Sequence, residues 1–283
     1  MPKRLLRQPG PSRSQRFESF EGVGRRLEFV LEPGRNLNEA VAGPLKASGI
    51  TAASLVLEGG AFDPLHYLMP ALASDGHHAA WYSDIFSLAG ETRLSNGNVT
   101  FGERDGSPFI HCHAAWIGPD DKPGVGHVLP HETIVSQPIR AISWGVEEVR
   151  MVSEPDGETA FTLFRPIPSV GTNAAKRGPR TVIARVGPNE DVITAVEAIC
   201  LKHDFTAAML RGGVGSLIGV RYANALQVDD IATEVFVIGG SVVSQSARVA
   251  IMAVDTRGSI THGELLRGEN PVCITFELCL EEA

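Results

Sequence analysis

The sequence predicts an α+β fold of two similar halves, each a mainly antiparallel sheet with a helix after its first strand. An internal repeat indicates the two halves: at a shift of 155 residues, 31–62 aligns with 186–217 without a gap and with eight identical positions. Short runs of β-branched residues bounded by Gly, Asp and Asn indicate the strands. One helix beside several adjacent strands favours an antiparallel sheet in each half.

The predicted elements follow the same order in both halves. A strand leads into a proline turn, and a helix follows. The strands cover 26–31 and 181–186 and the helices 37–48 and 192–203. Asn36 and Asp191 stand before the helices, where a side-chain oxygen can accept a hydrogen bond from a free backbone N–H. Two later matches, of 82–90 with 232–240 and of 111–126 with 248–263, predict that the first half carries 5 and 13 extra residues in two loops.

Composition divides the chain into four segments. Residues 1–20 begin with a stretch that is rich in Arg, Pro, Gly and Ser and has no acid up to Arg16, which predicts a disordered basic tail. Residues 168–179 contain the Pro, Gly and Asn typical of a linker. The two predicted domains are therefore 21–167 and 180–283.

Charge and apolar content limit the possible partners. The net charge is −8, which argues against the broad nucleic-acid binding that clustered Lys and Arg support. No apolar run approaches the roughly 20 residues that span a bilayer, and the basic start lacks the apolar region of a secretory signal. The four cysteines show neither CxxC spacing nor a disulfide framework, so we expect a cytoplasmic protein.

Two predicted strands of the first half carry a histidine pattern. His111 and His113 alternate along one strand, so they project from the same face. His127 follows a turn rich in Gly, Pro and Asp and can approach them from the neighbouring strand. Three imidazoles leave one position open, as catalytic zinc sites do, whereas structural zinc sites are usually closed by four protein ligands. The alternative is three polar residues on a solvated hairpin.

The order of these features resembles a known family. The chain has, in this order, a helix after a proline turn, a Gly-rich strand end, an acidic-x-Phe strand, His-x-His, an Asp/Gly turn and Gly-His. This order is similar to that of the plant and prokaryote conserved domain, which also occurs in AT-hook nuclear proteins of plants. The resemblance covers nearly the whole chain as two tandem copies. It implies a seven-stranded antiparallel sheet flanked by helices, a trimer-like homo-oligomer, and one divalent metal bound here by His111, His113 and His127.

The second copy departs from that pattern. In place of the three histidines it has Arg248, Ala250 and Glu264, so it is predicted to lack the metal. The family's Glu on the strand after the Gly-His turn appears as Glu277 in the second copy and as Arg140 in the first. A more distant similarity to the fold of acetolactate decarboxylase, which has a three-histidine zinc and two related subdomains, supports an enzymatic interpretation by analogy.

Three further residues are candidates for catalysis. Arg140 could clamp a substrate carboxylate beside the metal or form a surface ion pair with an acid such as Glu147. His131 could transfer protons or lie on an exposed loop. Asp84 and its aligned counterpart Glu234 could accept an imidazole N–H or simply be paired polar residues.

These observations favour a cytoplasmic metalloenzyme that acts on a small carboxylate or keto acid, as a lyase, decarboxylase or hydrolase. Neutral imidazoles favour Zn²⁺, and Fe²⁺, Mn²⁺ and Ni²⁺ also accept them. The alternative function is a DNA-associated or regulatory protein, as the plant members of the family imply, although the acidic charge makes nucleic acid an unexpected partner. A third alternative is a structural metal in a small-molecule sensor.

Overall fold

The structure, a computed structural model, describes residues 4–169 and 177–283, so most of the predicted linker lies outside the described residues. The elements before the linker are β1 (Phe17–Val23), β2 (Arg25–Leu31), α1 (Leu37–Ala47), β3 (Ala52–Glu58), β4 (Ala61–Phe62), β5 (Leu65–Leu68), β6 (Pro70–Ala71), β7 (Trp81–Tyr82), β8 (Phe86–Leu88), β9 (Thr92–Arg104), β10 (Ser107–Ile117), β11 (Pro123–Val128), β12 (Val135–Gln137), β13 (Ile139–Val146), β14 (Val149–Pro155) and β15 (Thr162–Pro168). Those after it are β16 (Arg180–Val186), α2 (Val192–Lys202), β17 (Ala207–Leu217), β18 (Val220–Arg221), β19 (Gln227–Val228), β20 (Thr233–Val243), β21 (Ser246–Asp255), β22 (Ile260–Glu264) and β23 (Val272–Glu282).

Two large sheets organise the molecule. A twelve-stranded sheet, with the main order β2-β13-β3-β9-β10-β11-β5-β8, forms what we call the first half together with α1. A seven-stranded sheet, in the order β1-β16-β23-β17-β20-β21-β22, forms the second half together with α2. The predicted antiparallel sheets are thus confirmed. The described residues hold only two helices, so the protein is richer in β-structure than the label α+β suggests.

The two helices begin where their caps predict. The side chain of Asn36 accepts a hydrogen bond from Glu39 N, and that of Asp191 accepts one from Thr194 N. Leu37, Val41 and Leu45 recur at helical spacing in α1 and are buried against the first sheet; α2 buries its own apolar stripe in the same way. Neither helix, within the described ranges, is long and apolar enough to cross a membrane.

One segment of the internal alignment is wrong. The match at 82–90 with 232–240 pairs β8 with β20, but β8 lies at the sheet edge beside β5, whereas β20 lies between β17 and β21. The position of β20 is held in the first half by β9, which lies between β3 and β10. The acidic-x-Phe pattern occurs by chance both at the start of the three-residue β8 and in the eleven-residue β20, because β-branched and aromatic residues are common to strands in general.

The N-terminal residues do not form the predicted disordered tail. From Arg4 to Arg16 they contact both halves: Gln8 donates to Cys273 O of the second half over 2.8 Å, and Arg16 pairs at 2.8 Å with the buried Glu158, between β14 and β15 of the first. β1 then pairs with β16 in the second sheet, so the predicted domain that starts at residue 21 includes part of a strand of the other half. The prediction failed because it rested on local composition, whereas acidic partners such as Glu158 lie far away in the sequence.

Candidate metal centre

The predicted histidine hairpin is present. His111 and His113 lie on β10, and His127 lies on β11 directly opposite His113 in the antiparallel register. Residues two apart on a strand share a face, and so do directly opposed residues, so the three imidazoles converge. His113 is buried, with 1% of its surface exposed. The alternative of three polar residues on a solvated hairpin is excluded by this burial.

The ring nitrogens have the spacing of metal ligands. His111 Nε2 lies 3.0 Å from His113 Nε2, which lies 3.2 Å from His127 Nδ1. One ligand atom from each residue falls within 4.8 Å of the other two. Two nitrogens that bind one tetrahedral zinc at its usual bond length are roughly 3.3 Å apart. The three donors therefore fit a single divalent ion.

The far nitrogens of two rings contact the second half. His111 Nδ1 lies 2.9 Å from a carboxylate oxygen of Glu277, and His113 Nδ1 lies 2.8 Å from the carbonyl oxygen of Val235. Both partners accept hydrogen bonds, so each Nδ1 carries a proton, and either ring in its neutral form has an unprotonated Nε2. Where both rings are neutral, two lone pairs face each other at 3.0 Å, and a metal ion or a proton shared between them would relieve that arrangement. Carboxylate and carbonyl partners of this kind are typical of metal-binding histidines.

The surroundings keep two of the rings neutral. Burial, together with the charges of neighbouring imidazoles, lowers the pKa of His113 well below its usual value. Burial, His111 and Arg104 do the same to the pKa of His127. The pKa of His111 is raised, because Glu277 and Glu234 outweigh the opposing effect of burial.

A second acid adjoins the cluster. Glu234 Oε2 lies 3.1 Å from His113 Nε2, and burial raises the pKa of this carboxyl to about 7, although the charge of His111 opposes the shift. The sequence suggested Glu234 as a hydrogen-bond acceptor for an imidazole, and the structure places it beside the metal-facing nitrogen. Glu234, Glu277 and Val235 all belong to the second half, so the centre lies between the two halves.

The histidines open into a cavity of about 440 Å³ that is lined by both halves. Its walls are mostly apolar, with Trp81, Tyr82, Phe109, Phe161, Phe164 and Ile274 among them. This size is in the range of small-molecule sites, which are typically apolar with a few polar groups that orient the ligand. The sequence did not predict the cavity, because its walls come from segments far apart along the chain.

Of the three predicted catalytic residues, only His131 reaches this cavity. It lies on the wall, with its ring stacked on Phe109 at 5.9 Å between centroids. Glu132 lines the cavity beside it. His131 is exposed and therefore remains a candidate for proton transfer at the cavity wall.

Arg140 and Asp84 are not at the site. Arg140 is exposed on β13, where it pairs with Glu28 at 2.8 Å and Glu58 at 2.6 Å, so its surface ion pair exists but with acids other than Glu147. Asp84 is exposed and does not line the cavity. Arg140 and Asp84 were assigned to the site from their positions in an alignment. An alignment does not tell which side of the sheet a side chain projects from.

The missed basic residue is Arg104. It lines the cavity, with its guanidinium carbon 3.7 Å from the centroid of the Phe109 ring. In the β9–β10 register, Arg104 lies opposite Ser107 and Gly102 lies opposite Phe109. Because side chains alternate between the two faces of a strand, Arg104 lies on the same face as His111. Extending the His-x-His alternation around the β9–β10 turn could have found it.

Comparison with known proteins identifies one domain. The model of the Plants and Prokaryotes Conserved (PCC) domain family matches residues 173–283. A search of curated proteins finds no significant match.

Several solved structures are similar to part of the chain. A plant- and prokaryote-conserved (PPC) protein from Pyrococcus horikoshii is 16% identical, covers 53% of this chain and 97% of its own, and has a TM-score of 0.42. A metal-containing protein from Archaeoglobus fulgidus is 18% identical, with coverages of 50% and 94% and a TM-score of 0.42. A protein from Ralstonia eutropha JMP134, whose name proposes DNA binding, is 17% identical, with coverages of 51% and 90% and a TM-score of 0.38.

Proposed function

Because its second half carries a Plants and Prokaryotes Conserved domain, we propose that this chain is a metal-dependent enzyme whose centre lies between that domain and a diverged copy of it. Its substrate is a small carboxylate or keto acid, and its reaction is that of a lyase, decarboxylase or hydrolase. The observation that carries the proposal is the convergence of three imidazole nitrogens, 3.0 and 3.2 Å apart in succession, beside a mostly apolar cavity.

The bounds of the elements support the diverged copy. α1 and α2 begin at Leu37 and Val192 and end at Ala47 and Lys202, so that both ends are 155 positions apart. Without β1, the second sheet has the order β16-β23-β17-β20-β21-β22, which repeats β2-β13-β3-β9-β10-β11 of the first. A duplicated domain accounts for the same strand order around the same helix in both halves.

The residues of the chain divide the chemistry among them. A divalent ion held by the three histidines, with zinc the expected one, would polarise a carbonyl or lower the pKa of a bound water. Glu277 and Val235 O hold His111 and His113 in the required tautomer. Glu234 and His131, on the cavity wall, are placed to accept and return protons. The apolar walls exclude water from the reacting groups.

DNA binding is the second candidate, and the names of the Ralstonia eutropha protein and of a Bacteroides thetaiotaomicron protein propose it for those proteins. The net charge of −8 and the buried position of the histidines favour small-molecule chemistry in this chain. The expected cytoplasmic location and trimer-like homo-oligomer stay predictions.

Metal content and turnover test the proposal. We expect the purified protein to hold one divalent ion per chain by elemental analysis and to convert members of a panel of keto acids and small carboxylic esters. His113→Ala should lose the metal and the turnover, because it removes the central ligand, while the circular dichroism spectrum persists. His262→Ala, on the hairpin of the second half, is the matched control and should change neither.

Two results would contradict the enzyme. One is full turnover in His113→Ala. The other is tight duplex-DNA binding that persists at about 0.2 M salt, where contacts to the phosphate backbone alone weaken steeply, in a protein with no turnover.

A further inference from the structure

Arg104 is a cation on the wall of a mostly apolar cavity, which Glu132, Glu234 and Glu277 also line. Within residues 4–169 and 177–283 its guanidinium group donates one hydrogen bond, from Nε to Ser153 Oγ at 3.0 Å, and forms no ion pair. The neighbouring acid Glu103 is paired with Arg150 instead. Burial lowers the pKa of Arg104 from its usual value against the attraction of the adjacent Asp105, so its charge is partly desolvated. A desolvated guanidinium with free N–H groups is a strong site for a carboxylate.

The hairpin geometry sets the direction from Arg104 to the metal centre. Thr100 is opposite His111 and lies four residues before Arg104 on β9, a backbone distance of roughly 13 Å at the usual strand rise. The long arginine side chain reaches back over Phe109, which lies between the two positions on the same face. One ligand can therefore contact Arg104 at one end and the histidines at the other.

The walls between these two ends are aromatic. Trp81 and Phe161 lie 5.0 Å apart between ring centroids, and Tyr82 contacts both Phe161, at 5.8 Å, and His127, at 5.1 Å. A two- or three-carbon acid would leave most of this apolar surface in contact with water. An aromatic ring would cover it and gain the corresponding hydrophobic stabilisation.

Arg104 also belongs to the first half alone. The β9–β10 hairpin aligns with its counterpart β20–β21 when His113 is matched to Ala250. The last pair of β20–β21, Val243 with Ser246, then lies at the level of Gly102 with Phe109. The β9–β10 hairpin continues for two further residue pairs, and Arg104 lies in the second of them, opposite Ser107. The extension thus brings a guanidinium to the half that has the histidines.

We infer that the cavity binds an aromatic carboxylate, with its carboxylate on Arg104, its ring among Trp81, Tyr82 and Phe161, and its reacting group toward the histidines. This inference rests on the proposed function for the reaction, and it names the substrate class of the same site. Binding of the carboxylate itself requires only Arg104 and the walls.

Calorimetric titration with three unreactive probes tests this assignment. The probes are 3-phenylpropanoate, its neutral isostere 3-phenylpropanamide, and propanoate, which lacks the ring. We expect 3-phenylpropanoate to bind the purified protein at least about tenfold more tightly than either of the others, since each lacks one of the two recognised groups. Arg104→Met should weaken 3-phenylpropanoate by about 10- to 100-fold and leave the amide within about twofold.

The matched control is Arg93→Met, which removes an exposed arginine of the same strand that pairs with Asp121 at the surface. It should leave the affinity for all three probes unchanged, and the melting temperature of both variants shows whether they are folded. Arg104→Lys should restore part of the affinity, because it returns the charge without the bidentate geometry.

Equal binding of 3-phenylpropanoate by the native protein and Arg104→Met would overturn the inference, as would equal binding of propanoate, or no binding of any probe. The metal measurement is separate. Arg104-dependent binding in a protein that holds no metal would leave this site standing and remove the proposed enzyme. Bound metal and turnover without Arg104-dependent binding of 3-phenylpropanoate would leave the proposed enzyme standing and remove the aromatic carboxylate site.

Discussion

Two hairpins occupy equivalent places in the two halves: β10–β11, the first hairpin, and β21–β22, the second. They differ in the residues that their side chains contact. In the first, His113 is opposite His127; in the second, Ala250 is opposite Glu264 in the same register. Glu264 pairs with Arg248 at 2.6 Å on an exposed surface. The charged side chains of the second hairpin thus pair with each other, whereas two imidazoles of the first hairpin contact the other half.

This difference shows that the strand arrangement does not require the histidines. The same two strands pair in the second half without any imidazole at these positions. A buried cluster of imidazoles is costly unless its polar atoms are paired, so its presence in one hairpin indicates a function and not a need of the fold. The replacement of the same positions by an exposed ion pair indicates how the scaffold is completed where that function is absent.

In the part of the chain that the structure describes, only the second half supplies outer hydrogen-bond partners to the hairpin of the other half. It supplies Glu277 and Val235 O to the first hairpin. At the position that aligns with Glu277, the first half has Arg140, which pairs on the surface with Glu28 and Glu58. Among the described residues, the only cluster suited to a metal is therefore the one at the first hairpin.

The largest expected effect comes from moving the histidines. In a His113→Ala background, the triple change Arg248→His, Ala250→His and Glu264→His gives the second hairpin the three imidazoles. We expect its zinc affinity to be at least about 100-fold weaker than that of the native centre, because two outer partners, each worth about 10- to 100-fold, are missing. A competitive chelator titration measures this ratio, with His113→Ala alone as the baseline. Native affinity in the transplanted hairpin would mean that the contacts between the halves do not tune the centre.

A smaller effect is expected from the outer carboxylate. Glu277→Gln keeps the shape but removes the charge that holds His111 Nδ1–H, so the metal affinity should fall by about 10- to 100-fold. The same chelator titration measures it. Glu281→Gln is the matched control, since Glu281 lies on the same strand and pairs with Arg211 away from the centre. A loss of equal size in both variants would show that the strand, and not the carboxylate of Glu277, is responsible.

The local part of this architecture could be predicted from the sequence. Capping by Asn36 and Asp191 fixed the helix starts, and the alternation of His111 and His113 with a turn before His127 fixed the hairpin. These features depend on residues that are close along the chain, where backbone geometry alone sets the contacts.

The contacts between the halves could not be predicted in the same way. Glu277 follows His111 by 166 residues, and no periodicity links them. Arg140 was predicted in place of Arg104 because alignment gives a position on a strand but not the side of the sheet that becomes a cavity. The alignment of Asp84 with Glu234 failed for a related reason, since several strands of a β-rich chain share one residue pattern.

The smallest expected effect concerns the ion pair that replaces the histidines. Arg248 keeps 74% of its side-chain surface exposed, so its attraction to Glu264 is screened by water. Arg248→Ala should lower the free energy of unfolding by no more than about 1 kcal/mol, as is usual for exposed pairs. Urea unfolding followed by circular dichroism measures it, with Arg93→Ala, which breaks another exposed pair, as the reference. A loss of several kcal/mol would mean that this ion pair holds the second hairpin together, and the two hairpins would then differ in stability as well as in function.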